Sequence, residues 1–218
     1  GHGSPAVGTL GSVGWWTDHV VPRVADAALR GRDLGETRAR ACAGLQGRVL
    51  ELGFGGGLNL RHLPATVTSL DAVEPSDLGW SISDRRRART PLPVPRTGLD
   101  GQAIAADTAS YDGALCTFTL CTIPDARAAL AEVRRVVRPG GTFVFLEHGL
   151  ATDPATRRWQ HRLDPWQQRL AGGCHLTRDP VALAEQAGMV VETVETGALP
   201  GFGGPAALSF GYLGIARV

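Results

Sequence analysis

The string Val49-Leu50-Glu51-Leu52-Gly53-Phe54-Gly55-Gly56-Gly57-Leu58-Asn59 restricts this chain more than any other segment. An apolar run enters a cluster of glycines and leaves it toward a further apolar stretch. That is the pattern of a buried strand, a tight turn and a helix start. Glycines at 53, 55 and 57 let the backbone take positive φ and bring bare main chain against a ligand. Glu74 follows Gly53 by about the 20 residues at which a carboxylate meets a ribose in a nucleotide-binding βαβ unit. A nucleoside-bearing ligand is the first expectation, and a glycine-rich turn with no ligand is the bland alternative.

The spacing narrows the ligand. A dinucleotide loop reads Gly-x-Gly-x-x-Gly, and Leu58 stands where its third glycine belongs. A phosphate loop closes with Gly-Lys-Ser/Thr, and no lysine follows here. Glu51 instead places a negative charge near the turn, which suits an ammonium or sulfonium better than phosphates. With that residue included, Glu-x-Gly-x-Gly-x-Gly resembles the first motif of class I S-adenosylmethionine (SAM) methyltransferases. The resemblance covers about residues 45 to 150 and implies SAM as cofactor, with S-adenosylhomocysteine as product. The implied cofactor site takes Glu51, Gly53, Phe54 and Gly55 from the loop, and Glu74 and Pro75 from the end of the second strand. Two vicinal ribose hydroxyls suit the two oxygens of Glu74. Asp100, with Gly101 beside it, ends the expected third strand and can accept from an adenine amino group; Asp107 is the rival for that role.

Tyr111 to Asp125 resembles the fourth motif of the ubiquinone/menaquinone-type methyltransferases, whose strand end lines the pocket for the methionine part of the cofactor. That implies Thr117 and Phe118 as liners. Further on stand Arg138-Pro139-Gly140-Gly141, Phe145-Leu146-Glu147-His148-Gly149, Trp159-Gln160, Pro165-Trp166 and Gly172-Gly173-Cys174-His175-Leu176-Thr177-Arg178. Over about residues 115 to 180 they resemble the methyltransferase-like thiol methyltransferases and their bacterial relatives. The eukaryotic members carry an N-terminal membrane anchor; no comparable stretch is visible here, and no stable membrane insertion is expected.

Periodicity supplies the architecture. Trp15 to Arg30 has helical spacing with Pro22 as a start or kink, and a second helix is expected over 36–45. Strands are expected at 48–52 and 67–73, a third along the extended Pro91, Pro93 and Pro95 connector and ending at 98–102, then at 111–120 and 142–146, and a terminal pair at 189–196 and 209–218. Helices are expected at 59–63, 77–89, 125–137 and from Asp179-Pro180 to near Gly188, with 153–174 irregular because Asp164-Pro165 interrupts it. Five βα units and a terminal strand pair give an α/β fold. The expected sheet is doubly wound and Rossmann-like, mostly parallel with an antiparallel C-terminal strand, and has helices on both faces. One domain spans 1–218, with Gly1-His2-Gly3-Ser4 read as a tag remnant, 10–46 as N-terminal helices and 150–180 as an insertion on the substrate side.

Hydrophobic residues make up 43%, charged residues 20%, and the formal net charge is +1. That balance gives no field for nucleic acid or an anionic membrane. Cys42, Cys116, Cys121 and Cys174 contain no Cys-x-x-Cys spacing and read as reduced thiols of a cytoplasmic protein, with no metal site. Arg85, Arg86, Arg87 and Arg89 could touch an anion, but the favoured reading is a solvated helix face.

Methyl transfer needs positioning, desolvation and, for some acceptors, removal of a proton. His148 follows the fifth strand and is the candidate base. Glu147 beside it either orients an imidazole or takes the proton itself, and His175 is a weaker candidate. Trp15, Trp16, Trp159 and Trp166 either wall an apolar substrate pocket or pack the core. The expectation is a SAM-dependent methyltransferase acting at S, N or O of a small molecule. A lipid or quinone-precursor methyltransferase is the alternative. An NAD-dependent oxidoreductase and a non-catalytic SAM-binding module are those of another class.

Overall fold

The computed structural model describes residues 14, 16, 18–200 and 204–218; the expected tag remnant and Trp15 lie outside the described residues. Two helices, α1 (Val21–Leu29) and α2 (Arg32–Cys42), precede the sheet. Pro22 falls in the first turn of α1, where its missing N–H costs no hydrogen bond. The sheet begins with β1 (Gly47–Leu52), β2 (Val67–Val73) and the short β3 (Arg96–Gly98). Between the last two lie α3 (Asp77–Ile82) and α4 (Asp84–Arg87).

The second half follows as β4 (Tyr111–Thr117), α5 (Ala126–Val136), β5 (Val137–His148), α6 (Pro154–Leu170) and α7 (Pro180–Gln186). It closes with β6 (Val190–Ala198), α8 (Ala206–Ser209) and β7 (Phe210–Arg217). Strand order is β3-β2-β1-β4-β5-β7-β6. The first five strands pair in parallel, and β7 lies antiparallel between β5 and β6. The expected doubly wound sheet with an antiparallel C-terminal strand is therefore present.

Alternation along β1 sorts side chains to two cores. Leu50 and Leu52 join Leu130, Val133 and Val136 of α5 on one face. Val49 joins Ala41 and Cys42 of α2 on the other. The chain runs from β1 outward through β2 to β3, then crosses back to β4. The crevice at the carboxyl ends of β1 and β4 is thus the topological switch point, where open α/β sheets bind ligands.

Three local expectations change. The helix expected at 59–63 is a single 3-10 turn, Leu60–His62. The one expected at 77–89 divides at Ser83 into α3 and α4. The segment 153–174 is not broken at Pro165: α6 runs through it for 17 residues. Tertiary bonds hold the helix there, because Asp164 Oδ1 accepts from the Leu176 N–H at 2.6 Å and Oδ2 from Gln168 Nε2 at 2.6 Å. Among the described residues no helix is long and apolar enough to cross a membrane.

Candidate active site

A cavity of about 490 Å³ opens at the switch point, within the range of small-molecule sites. Its base is the glycine turn. Gly53 has φ +68°, and a Cβ there would lie 1.8 Å from Thr119 Oγ1, so the position admits only glycine. Gly55 has φ +54° and faces open space, leaving its backbone bare toward the cavity. Its N–H donates to Glu74 Oε2 at 2.5 Å, and Ser76 N–H donates to Glu74 Oε1 at 2.8 Å. Glu74 is thereby fixed at the end of β2 with lone pairs left for a ligand; burial pushes its carboxyl up from the ordinary value.

α1 roofs this half of the cavity with Val21, Pro22, Ala25 and Leu29. It is held down by Asp26, which receives Arg86 Nη1 at 2.7 Å and Nη2 at 3.2 Å. Arg86 Nη1 also donates to the Gly56 carbonyl at 2.6 Å. The basic run is therefore not all solvated face: Arg86 clamps the roof to the glycine turn.

Beneath the turn lies a buried polar floor. Arg38 Nη1 donates to Asn59 Oδ1 at 2.7 Å and to Thr117 Oγ1 at 3.0 Å, and Asn59 Nδ2 donates to Glu51 Oε1 at 2.7 Å. Glu51 does not line the cavity. Burial pushes its carboxyl up to about 8, so the charge expected beside the loop is largely absent at neutral pH. A cation bound above would draw it back down. Desolvation likewise lowers Arg38, to about 10. Arg38 Nε is buried and has no hydrogen-bond partner among the described residues.

The far end is built from the turn after β4. Phe118 holds φ +54°, which an aromatic residue adopts only under constraint. Its N–H donates to the Leu146 carbonyl at 2.8 Å. Its ring meets the His148 ring edge-on at 5.3 Å, with the Arg38 guanidinium 5.4 Å above it. Glu147 is fully buried and accepts from Thr119 N–H at 2.9 Å and Cys116 Sγ at 3.3 Å. It ties down this turn, and burial pushes it up to about 7. Neither Glu147 nor His148, the expected catalytic pair, lines the cavity. His148 stands behind Phe118, within reach of Cys121 and Cys174.

The other expected cofactor residues, Gly53, Phe54, Gly55, Glu74, Pro75, Asp100, Gly101, Thr117 and Phe118, all line the cavity, while Asp107 does not. Asp100 Oδ1 accepts from the backbone and side chain of Gln102 at 2.8 and 3.0 Å, which shapes the turn after β3. Beside it Leu99 lines the cavity yet is 60% exposed, an apolar surface with nothing of the protein upon it. Leu99, Ile123, Asn59 and Arg38 were not read from sequence. Arg38 carried no local sign, because it sits in an ordinary amphipathic helix. His175 Nδ1 lies 3.8 Å from Asp164 Oδ2 and outside the cavity wall. Trp159 and Trp166 are 56% and 62% exposed, so they neither pack the core nor wall the cavity. Trp16 donates to the Leu170 carbonyl at 3.0 Å.

Residues 25–192 match the family described as "Methyltransferase domain". The human thiol S-methyltransferase TMT1A is 35% identical over 153 residues, 66% of this chain and 62% of that protein. The demethylmenaquinone methyltransferase of Clavibacter sepedonicus is 31% identical over 55% of this chain and 49% of its own length. The chain thus spans less than two thirds of the relatives it matches. Among solved structures, a geranyl diphosphate methyltransferase in complex with SAM aligns with a TM-score of 0.66 at 14% identity, covering 96% of this chain and 92% of that one.

Proposed function

Because the chain belongs to the methyltransferase domain family, we propose that it moves a methyl group from SAM to a sulfur nucleophile of a small molecule. The observation that carries the reading is the cavity itself: a bare glycine turn, a pinned strand-end carboxylate and an exposed apolar slot lie in one crevice. When bound, SAM supplies an activated methyl on a good leaving group. Everything else falls to the protein.

Glu74 receives the ribose hydroxyls, and Asp100, Gly101 and Leu99 receive the adenine by hydrogen bond and apolar contact. Arg38 lines the cavity, is held by Thr117 and Asn59 and keeps an Nε without a hydrogen bond, which makes it the cation available to the carboxylate of the methionine end. Phe118 and α1 exclude water from the methyl end. The acceptor enters between Phe118, Thr122, Ile123 and Gly172, which makes residues 150–180 the substrate side of a single domain. The sulfur preference rests on the thiol S-methyltransferase relatives. A second reading, a quinone-precursor acceptor, has the support of the demethylmenaquinone methyltransferase relatives. Four free cysteines fit a reducing compartment such as the cytoplasm.

The test is a panel of small thiols, phenols and amines assayed with methyl-labelled SAM. Transfer to thiols is expected. Transfer to phenols or quinols alone would favour the second reading, and binding of S-adenosylhomocysteine with no transfer to any acceptor would leave a non-catalytic SAM-binding module.

A further inference from the structure

Two soft thiol sulfurs and one imidazole converge behind the cavity wall. Cys121 lies in the turn after β4, His148 ends β5, and Cys174 lies in the loop after α6. Each offers one ligand atom, and the three atoms lie within 4.8 Å of one another. Cys174 Sγ is 4.0 Å from His148 Nδ1. All three side chains are buried. The backbone joins two of the arms, with His175 N–H donating to the Cys121 carbonyl at 2.7 Å.

The donor set is selective. Two sulfurs and one imidazole nitrogen, with no carboxylate among them, suit Zn²⁺ or Co²⁺ and disfavour Mg²⁺ and Ca²⁺. Zn–S and Zn–N bonds of about 2.3 and 2.0 Å put ligand atoms about 3.5 to 3.8 Å apart in a tetrahedron. The observed spread closes to that by side-chain movements of less than about 1 Å. Three protein ligands also leave a fourth position, as in catalytic rather than structural zinc sites.

A neighbour of each arm lines the cavity, while the three ligand residues themselves lie behind its wall. The Phe118 ring lines the cavity and packs on His148; Thr122, next to Cys121, lines it; so does Gly172, two residues before Cys174. We propose that Cys121, His148 and Cys174 hold a Zn²⁺-class ion whose fourth position takes the thiol of the methyl acceptor. The fourth-position clause rests on the sulfur reading above; the metal site does not. A thiol bound to such an ion loses its proton, which passes to solvent. The nucleophile is then formed without a protein base, which accounts for a cavity that neither His148 nor Glu147 lines.

The test uses the whole protein, stripped with chelator under reducing conditions and titrated with Co²⁺ alone. One equivalent is expected to give tetrahedral visible bands and a sulfur-to-metal charge-transfer band, displaced by Zn²⁺ but not by Mg²⁺. Cys121→Ser, Cys174→Ser and His148→Asn should each weaken binding at least tenfold, whereas Cys42→Ala should not. Calorimetric affinity for S-adenosylhomocysteine reports that each variant is folded. If a variant does not fold, the wild-type charge-transfer band alone decides whether thiolates bind.

Absence of that spectrum, with four thiols titrating as free, would overturn the site. So would a Cys121–Cys174 disulfide in protein purified without reductant, if no Co²⁺ binds after its reduction. Added ethanethiol should perturb the Co²⁺ bands, and removing the metal should abolish thiol methylation while sparing S-adenosylhomocysteine binding. Full turnover by metal-free protein would overturn the fourth-position role. Bands that shift with ethanethiol while no thiol is methylated would uphold the site and overturn the sulfur reading.

Discussion

The two ends of the cavity are built by different means. The donor end is mostly local: the glycine turn and the ends of β1, β2 and β3 supply most of it from residues 53 to 101, through glycine backbone and the side chains of Glu74 and Leu99, while α1 and Arg38 close it from outside that stretch. The acceptor end proposed above draws on two distant places, the turn after β4 and the loop after α6, with the end of β5 packed behind Phe118. Recognition by backbone leaves a spacing in the sequence, because specific residues must be glycine. Recognition by converging side chains leaves none, because any fold that brings them together will do.

If that contrast is right, the largest single effect should come from the point where the two ends touch. Gly53→Ala places a Cβ against Thr119 Oγ1 at a φ that Ala resists. Strain and clash together should cost about 2–4 kcal/mol of stability, measured by urea unfolding, and should abolish S-adenosylhomocysteine binding. A stable Gly53→Ala protein with intact affinity would show that the turn is not the rigid base described. Next in size is Glu74→Ala. Loss of hydrogen bonds to a carboxylate should reduce S-adenosylhomocysteine affinity roughly ten- to a hundredfold by calorimetry, with thiol KM little changed. An unchanged affinity would remove Glu74 from the ribose role.

The same contrast governs what could be read in advance. β2 was legible to its ends, because a run such as Val67 to Val73, buried toward its C-terminal end and closed by Glu74-Pro75, has one plausible structure. Pro165 misled, because the bonds from Asp164 to Leu176 and Gln168 that carry α6 past it are tertiary. Arg86 was read as solvated surface although it clamps Asp26, a partner 60 residues away. The cysteines gave no ligand spacing because Cys121, His148 and Cys174 sit on three segments. Glu51 was legible in position and not in charge state, since its burial beneath the turn follows only from the fold.

That last point gives a smaller, pH-dependent effect at the donor end. Burial raises Glu51 from 4.5 to about 8. The folded state therefore holds a proton that the unfolded state releases above about pH 4.5. The corresponding stability is present below that pH and declines as pH rises toward 8. Glu51→Gln keeps the neutral shape and should flatten this part of the profile of melting temperature between pH 5 and 8. Glu147, raised to about 7, contributes a decline of the same sign over pH 4.5 to 7 that the variant leaves in place. A Glu51→Gln variant with the wild-type slope would show that Glu51 stays ionised.

The smallest effect belongs to the acceptor half, and its size matters because aromatic residues there invite a substrate-pocket reading. Trp166 is 62% exposed, lies outside the cavity and stands 5.9 Å from the Arg169 guanidinium. Exposed cation–π pairs are worth about 0.5–1 kcal/mol at most, and replacement away from a core or site falls within about 0.5 kcal/mol. Trp166→Ala should therefore leave stability within about 0.5 kcal/mol, and thiol KM and kcat within about twofold. A large rise in KM would mean that α6 folds onto the acceptor during turnover, and that the acceptor end extends over a surface that lies open here. The division between a preformed donor end and a dispersed acceptor end would then become one between a rigid half and a closing half.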